Sequence, residues 1–501
     1  MKQFLKKYAF LFLPILLYLI FRLPSFFETF WYGDEGIYAA VAQGLHEGKL
    51  LYQEIWDHKP PLIYWIYYVY GFLPWEIAFV LLRATTAVLG IVNILLSGWI
   101  LRRKLLVHSV HTGIVLTLYA FFAGTPFFEG NTANAEMFFV TINLVILCLL
   151  LQKKLLPLVG FLAFLSLLLK VPAFGEAAGI ILCFTIIILK NDKMRATIRF
   201  LLHTASGFIV PLVILLVYFG LRGNVSDFIQ SAFLDNVGYA TLENEYFVFL
   251  GLPFSPNLIK TFILLVTISV TGYAYWNNQL KKLPLIVIWV FAIELYASLL
   301  SGRNYAHYFL QVLPGLTLLS GYLMNKITWE HKKVLQNVGY IAAVTALFHF
   351  SMLTLSHGNR IDTYAKLNEY YPRFIRWISA EDKYEAKFKW GKNRWVDRVK
   401  EVSNRIDESY SEYDTYYLYT NESWVYALTE KPSTNRFIAW YHIDFNESYL
   451  QSAIMNRNQA ELVIIDTYIT QNETLLEDMK GKKPIESYDG FEFYDNRQVS
   501  E

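Results

Sequence analysis

Long apolar stretches recur along the first 355 residues of this 501-residue chain. A helix needs about 20 apolar residues to cross a bilayer, and helices satisfy their own backbone hydrogen bonds inside hydrocarbon. The stretches therefore predict a mainly α fold, a polytopic membrane helix bundle of about eleven spans. The predicted spans are residues 8–24, 78–101, 108–126, 134–151, 155–171, 174–189, 200–220, 257–276, 284–301, 308–325 and 336–355. The short fifth and sixth stretches also fit a re-entrant pair.

Composition supports a membrane protein with a soluble tail. The chain is 55% hydrophobic and 17% charged, whereas charged residues make up about a quarter of a soluble domain. Residues 356–501 carry 19 Lys and Arg against 25 Asp and Glu, and residues 1–355 carry 25 against 17. We therefore expect a basic membrane domain, 1–355, and an acidic soluble domain, 356–501. Neither part has the clustered basic face of a nucleic-acid binder.

Positive charge alternates between the connections of the predicted spans. Cytoplasmic connections are the basic ones, so the pattern predicts a multi-pass protein of the cell membrane, with its N-terminus in the cytoplasm and its tail outside. The first apolar stretch resembles a signal peptide, but it lacks a small-residue cleavage site, and we expect it to remain as a helix. The basic connections contain Lys2, Lys6 and Lys7; Arg102, Arg103 and Lys104; Lys153 and Lys154; Lys190, Lys193, Arg195 and Arg199; Lys281 and Lys282; and Lys326, Lys332 and Lys333.

The same alternation places the polar clusters on the outer side. We expect five outer loops, remote in sequence, to converge on one extracytoplasmic cavity, with residues 25–75 as the catalytic loop. The clusters lie in 31–65, in 129–136, at Lys170, in 222–256 and in 303–307.

An acidic pair, Asp34 and Glu35, opens the first outer loop ahead of an amphipathic helical stretch, 37–45. One interpretation is that Asp34 only caps that helix, because acidic residues favour helix N-termini. Capping does not explain the second charged cluster 22 residues later. We therefore favour catalysis or ligand binding by Asp34.

The second cluster is Asp57-His58-Lys59, followed by two prolines. The prolines hold Lys59 extended and then allow a new helix to begin. A polar turn at the membrane interface is the alternative, since the aromatic helix that follows suits an interfacial belt.

Cations also stand at two further outer positions. Lys170 follows a short span, where lysines often extend toward water. Arg303 and His307 lie at the start of the tenth span, and a guanidinium there suits a phosphate. A single histidine more often has a structural role than a functional one. Here cations and carboxylates are expected beside one another in the converging loops, which favours a functional interpretation of Arg303 and His307.

The tail alternates strand-like and helix-like segments, which favours a small α/β domain. Residues 360–410 predict amphipathic helices. Strands are predicted at 416–420, 436–441, 462–466 and around 491–494, and helices at 423–431, 447–458 and from Asn472.

Several strings together resemble a known family. In order along the chain they are YGDEGIYAAVAQGLHEG, DHKPPLIYW, NAEMFF, LKVPA and RNYAHYFLQVLPG. They are similar to the C class of membrane glycosyltransferases (GT-C), in the polyprenyl-phosphate-sugar-dependent branch that includes protein O-mannosyltransferases and the aminoarabinose transferase of lipid A (glycosyltransferase family 39 type). The similarity covers roughly residues 1–355 and is strongest at 30–66 and 302–316.

This resemblance implies an inverting sugar transfer from a polyprenyl-phosphate donor to a surface glycan, lipid or protein. Asp34 would be the general base, with Glu35 as its catalytic neighbour. The implied phosphate-binding residues are Lys59, Lys170, Arg303 and His307, and the implied sugar or substrate contacts are Asp57, His58, Tyr308 and Gln311.

The resemblance also implies a metal-assisted or cation-assisted reaction. Ligands available to Mg, Mn or Zn are Glu35, Asp57, His58 and Glu136, although no spacing among them is a ligand signature. His58 stands where the aminoarabinose transferase has an acidic residue, which changes the contact with the donor sugar.

Two other classes of function compete with the enzyme. A transporter or flippase of lipid-linked saccharides predicts polar groups and broken helices near the middle of the bilayer. Here the charges in the spans are few, mainly Arg83 and Glu294. A structural or receptor role requires no convergence of acid, base and cation, and ranks third.

The topology can be tested by cysteine labelling. In a chain with Cys148 and Cys183 replaced by alanine, cysteines introduced at Lys104 and Asn421 should react with an impermeant thiol reagent from opposite sides of the membrane. Labelling of both from one side would contradict the eleven-span arrangement.

Overall fold

The computed structural model describes residues 2–28, 30–236, 247–249, 252–303, 305–326, 338–339, 345, 360–379 and 394–497. Within them the chain is mainly helical, with a small sheet toward the C-terminus. Seven helical segments of this described part are long and apolar enough to cross a membrane, and three shorter apolar helices accompany them. The predicted fold class, a helical membrane protein with a C-terminal α/β domain, is confirmed.

The helices and strands follow one another in this order. The helices are α1 (Lys2–Arg22), α2 (Gly33–His46), α3 (Leu62–Tyr70), α4 (Trp75–Trp99), α5 (Ser109–Gly124), α6 (Ala135–Gln152), α7 (Leu156–Leu169), α8 (Val171–Leu221), α9 (Val225–Ile229), α10 (Pro256–Trp276), α11 (Lys282–Leu299), α12 (Tyr308–Met324), α13 (Arg360–Ser379), α14 (Arg394–Asn404), α15 (Trp424–Leu428) and α16 (Glu447–Gln459). The strands are β1 (Phe247–Phe249), β2 (Leu252–Phe254), β3 (Tyr416–Tyr419), β4 (Leu462–Asp466), β5 (Glu486–Tyr488) and β6 (Phe491–Asp495). Ten of the eleven predicted spans fall in these helices, and the eleventh, 336–355, lies outside the described residues apart from three positions.

The chain divides into two compact units that alternate along the sequence. The first, which we call the helical unit, comprises Met1–Phe26, Arg83–Val217 and Ala240–Tyr371. The second, the mixed unit, comprises Phe27–Leu82, Tyr218–Tyr239 and Pro372–Glu501. This division differs from the expected domains, 1–355 and 356–501, because most of the predicted catalytic loop, 25–75, packs with the C-terminal region.

Helix α8 contains two predicted spans, 174–189 and 200–220, without an interruption in its helical hydrogen bonding. The rings of Phe174 and Phe208 nevertheless lie 5.1 Å apart, whereas 34 residues of straight helix would separate them by about 51 Å. The chain must therefore reverse within α8. The two apolar segments meet between Asp192 and Met194, inside the predicted basic connection.

Two buried arginines stabilise the helical unit through backbone oxygens. Arg22 donates to the carbonyls of Gly130 and Arg83 and to the hydroxyl of Thr86. Arg83 donates to the carbonyl of Ser25 at 3.0 Å. A buried charge is costly unless it is hydrogen-bonded, so these contacts explain how Arg83 is tolerated in an apolar helix.

The sheet of the mixed unit has the strand order β3-β4-β6-β5. Strands β3 and β4 are parallel, and β6 is antiparallel to both of its neighbours, β4 and β5. All five residues of β4 are buried, as its continuous apolar sequence predicts for a central strand. The predicted strands at 416–420 and 462–466 and the helix at 447–458 are confirmed.

Two predicted elements of the tail are wrong. Residues 436–441 do not form a regular strand, because Phe437 makes only an isolated bridge to Trp56 and a 3-10 turn begins at Trp440. No long helix follows Asn472 within the described residues up to 497. The Asn472 side chain instead accepts a hydrogen bond from the backbone of Leu475, and a short 3-10 helix spans Glu477–Met479.

Helix α2 packs against α15 at a glycine in the mixed unit. A Cβ atom added to Gly36 would lie 2.8 Å from Cδ1 of Trp424 and 2.9 Å from its backbone nitrogen. The Trp424 indole N–H also donates to the carbonyl of Tyr32 at 3.1 Å. Only a residue without a side chain permits this approach.

Substitution of this glycine should destabilise the unit. Overpacking a well-packed contact costs about 1–3 kcal/mol, so Gly36→Val should lower the thermal unfolding midpoint of the detergent-solubilised protein, followed by tryptophan fluorescence. Gly33→Ala is the matched control, because a Cβ at Gly33 meets nothing within 4 Å. Equal midpoints for the two variants would contradict this packing.

Candidate functional site

Asp34 and Glu35 lie in the first turn of α2. The N-cap residue is Tyr32, and no side chain caps the helix, so Asp34 is not the N-cap that one interpretation of the sequence proposed. The macrodipole favours both carboxylates at this position. The Asp34 side chain remains 22% exposed, whereas Glu35 is buried.

Lys59 lies between two carboxylates. Its ammonium is 3.4 Å from Oδ1 of Asp34 and 3.7 Å from Oδ2 of Asp57. The Tyr38 ring lies beneath the ammonium, with its centroid 5.0 Å away. The two acidic clusters that are 22 residues apart in sequence are thus joined by one cation.

The Asp57 carboxylate is fully buried and has different partners on its two oxygens. The Tyr64 hydroxyl donates to Oδ2 at 2.7 Å, and Nδ1 of His58 lies 2.8 Å from Oδ1. Burial acts to raise the pKa of Asp57, but the Lys59 ammonium and the His58 imidazole outweigh it and hold the pKa well below its usual value. Asp57 is therefore an anion in a dry environment.

His442 completes this cluster from the C-terminal part of the mixed unit. Its Nε2 lies 3.5 Å from Oδ1 of Asp57, and its ring is completely buried. Burial lowers the pKa of His442 to about 3, although the Asp57 carboxylate acts in the opposite direction. Burial also lowers the pKa of His58, so both imidazoles are neutral at physiological pH.

Aromatic rings surround the two histidines. The rings of His58 and Phe445 stack at 4.9 Å, and Trp56 meets His442 edge to face at 5.0 Å. The Trp56 indole N–H is satisfied by the Ser231 hydroxyl at 2.8 Å. These rings place the two imidazoles in a mainly apolar environment.

Backbone contacts hold the loop that carries Asp57 and His58. The Trp56 backbone N–H donates to the carbonyl of Arg436 at 2.9 Å, and the Asn236 side chain donates to the carbonyl of His58 at 2.7 Å. Pro61 precedes the first residue of α3, as the double proline predicts. The cluster is therefore positioned by three separate segments of the mixed unit.

In the helical unit, the structure brings Glu136, Lys170 and Tyr308 together. Glu136 is buried in the first turn of α6, and its carboxylate pairs with the Lys170 ammonium. Lys170 occupies the break between α7 and α8 and lies 3.9 Å from the centroid of the Tyr308 ring. Lys170 thus has a carboxylate and an aromatic face as partners, not open water alone.

The remaining predicted residues of the helical unit lie at or near the start of α12. Nδ1 of His307 lies 2.9 Å from Oε2 of Glu129. The Arg303 guanidinium donates to the Tyr305 hydroxyl at 3.2 Å. Gln311 is buried one turn into the helix. The roles of these residues in donor binding stay predictions.

The predicted metal ligands separate into different environments. Asp57 and His58 come together, Glu136 pairs with Lys170, and Glu35 is buried in α2. The histidine that joins Asp57 and His58 was not predicted. The sequence around His442 lacks the residue spacing of a metal-ligand motif. Nothing in that sequence indicates a contact with the loop that carries Asp57 and His58, which lies almost 400 residues earlier in the chain.

No family model matches the sequence, and no curated protein does. Among solved structures, the chain is similar to an oligosaccharyltransferase from Archaeoglobus fulgidus. Its apo crystal structure gives a TM-score of 0.46 with 14% identity over 92% of this chain and 70% of that chain. Its complex with an inhibitory peptide and a dolichol-phosphate gives a TM-score of 0.47, with 13% identity over 92% of this chain and 70% of that chain. Its complex with Zn and sulfate gives a TM-score of 0.46, with 12% identity over 91% of this chain and 68% of that chain.

The Glu136–Lys170 pair can be tested by stability measurements. Lys170→Met leaves a buried carboxylate without its cation, which typically costs about 3–5 kcal/mol, so the thermal unfolding midpoint should fall. The double variant Lys170→Met/Glu136→Gln removes both charges and should recover most of that loss. If the double variant is as unstable as the single one, the ion pair is not the cause.

Proposed function

We propose that this protein is a membrane glycosyltransferase of the polyprenyl-phosphate-sugar-dependent GT-C type. It would transfer a sugar, with inversion, from the lipid-linked donor to a glycan, lipid or protein acceptor on the outer face of the cell membrane. The observation that carries the proposal is the ordered row of charges Asp34, Lys59 and Asp57. An accessible base stands at one end of this row and a buried anchor at the other.

The different exposure of the two acids at the start of α2 supports different roles for them. A general base must reach the acceptor hydroxyl, and Asp34 is partly exposed while Glu35 is buried. We therefore assign the base to Asp34. Glu35 would act as a positioning residue within α2 and not as a proton acceptor.

The buried end of the row fixes the exposed end. Tyr64 and His58 hold Asp57, Asp57 attracts the Lys59 ammonium, and Lys59 lies beside the Asp34 carboxylate. Such positioning lowers the entropic cost of bringing a base to its proton. Lys59 would also present positive charge to an incoming donor phosphate.

The proposed reaction is a single displacement. The acceptor oxygen forms a bond to the anomeric carbon as the bond from that carbon to the phosphate oxygen breaks. The electron pair of the broken bond leaves with the polyprenyl phosphate, and the acceptor proton moves to Asp34. Because attack and departure occur on opposite faces, the anomeric configuration inverts.

Positive charge on the chain would stabilise the departing phosphate, since stabilising charge where it develops is usually the largest catalytic effect. Arg303 and Lys170 are the cations of the helical unit that we assign to this role, and His307 is assigned as a further phosphate contact. A divalent cation, when bound, would add positive charge, and Asp57 and His58 are the residues that would hold it. Tyr308 and Gln311 remain the assigned substrate contacts of α12.

A transporter of lipid-linked saccharides is the second candidate, because polar groups are buried in the apolar helices. The Asn143 amide donates to Glu176 at 2.9 Å, and the Ser166 hydroxyl donates to Asn143 at 2.8 Å. Glu294 accepts the backbone N–H of Gly315 at 2.6 Å. Buried ionisable groups in membrane helices often mark a transport pathway.

Replacement of the base tests the transferase proposal. The full-length protein, reconstituted in liposomes with polyprenyl-phosphate mannose or polyprenyl-phosphate aminoarabinose and a membrane extract as acceptor, should release polyprenyl phosphate that is detectable by mass spectrometry. Asp34→Asn should reduce this release by about 100-fold or more, the usual contribution of a general base.

Glu47→Gln is the matched control, since Glu47 lies at the other end of α2 and pairs with Lys49. It should leave the rate unchanged. Undiminished transfer by a folded Asp34→Asn protein would remove Asp34 as the base. Movement of a fluorescent lipid-linked sugar across the membrane without release of polyprenyl phosphate would favour the transporter.

A further inference from the structure

Three neutral or anionic ligands converge in the interior of the mixed unit. One ligand atom each from Asp57, His58 and His442 lies within 4.8 Å of the other two. The nitrogens of His58 and His442 stand 2.8 and 3.5 Å from the same oxygen of Asp57. Ligand atoms around a tetrahedral zinc ion are about 3.3 Å apart, so small adjustments would complete such a site.

His442 supplies the independent observation that points to a ligand. It is completely buried, and neither of its ring nitrogens has a hydrogen-bond partner among the described residues. A buried polar group without a partner costs about 1–3 kcal/mol. The neutral imidazole has a lone pair available to a metal, and coordination would remove this cost.

The Asp57 carboxylate is oriented as a metal ligand usually is. Its Oδ2 accepts the Tyr64 hydroxyl and lies toward Lys59. Its Oδ1 accepts the backbone N–H of His58 at 2.8 Å and faces the two imidazoles. Hydrogen bonds to the second oxygen of a ligating carboxylate fix its direction and tune its affinity. Tyr64 is therefore a positioning residue for this site.

The ligand types distinguish between metals. Two imidazoles and one carboxylate suit Zn²⁺, whereas Mg²⁺ and Ca²⁺ prefer oxygen ligands throughout. Three protein ligands leave the fourth position of a tetrahedral site for an oxygen donor.

We propose that Asp57, His58 and His442 form a zinc site that links the first loop to the C-terminal part of the mixed unit. Two ligands come from the segment that precedes α3, and the third comes from the 3-10 turn after residue 439. An ion that binds only the folded arrangement stabilises it in proportion to its binding free energy. The proposal shares Asp57 and His58 with the proposed function, but it is measured by metal binding, so the two can fail separately.

The test uses the full-length protein in detergent, purified through a tag without histidines. After equilibration with zinc and removal of unbound metal, elemental analysis should find about one zinc per chain, as expected for a single site of three protein ligands. His442→Gln should weaken zinc binding by at least about tenfold, since even the loss of a supporting contact has that effect. His46→Gln is the matched control, because His46 lies in the same unit and bonds to the carbonyl of Tyr68 outside the cluster.

Two measurements on the unaltered protein keep the test decisive if His442→Gln does not fold. Zinc should raise the thermal unfolding midpoint, a chelator should reverse the rise, and Mg²⁺ at the same concentration should not reproduce it. Co²⁺ in place of zinc should give the strong visible absorption of a tetrahedral site. No bound zinc, an equal zinc content in His442→Gln and His46→Gln, or an equal effect of Mg²⁺ would overturn the proposal.

Discussion

A polar group removed from water needs a partner, and this requirement organises both units of the protein. In the helical unit, Arg22 and Arg83 are buried but donate to backbone carbonyls. In the mixed unit, the buried Asp57 carboxylate gathers a lysine, a tyrosine and two histidines. An uncompensated charge at either place would cost several kcal/mol. The architecture around these groups is therefore constrained by their solvation and not by apolar packing alone.

Around Asp57, structural stability and proposed chemistry use the same contacts. The carboxylate that lies beside the two buried histidines also attracts Lys59, and Lys59 extends the row to the accessible Asp34. A rigid interior thus positions a group at the surface, which is the arrangement that a catalytic base requires. In the zinc proposal, the segment that carries His442 supplies the third ligand and so connects the C-terminal region to the Asp57 carboxylate.

The apolar helices could be predicted because a long apolar stretch inside hydrocarbon satisfies its backbone hydrogen bonds by forming a helix. Even the reversal inside α8 falls in the charged connection that the sequence indicates. The elements of the C-terminal region were harder to predict than the apolar helices. Strand β4 was predictable from its continuous apolar run, but residues 436–441 have the composition of a strand and form only an isolated bridge to Trp56. Whether such a segment joins the sheet depends on a partner remote in sequence.

The sequence by itself determined which segments are apolar helices, where charge is concentrated, and that Asp34, Asp57, His58 and Lys59 belong to one loop. Those conclusions rest on local composition and on the cost of charge in hydrocarbon. Only the tertiary structure decided that Lys59 lies between the two carboxylates, that Asp34 and not Glu35 is accessible, and that His442 joins Asp57 and His58. Such contacts depend on how segments that are distant in sequence pack together, and this packing produces no periodic pattern in the sequence.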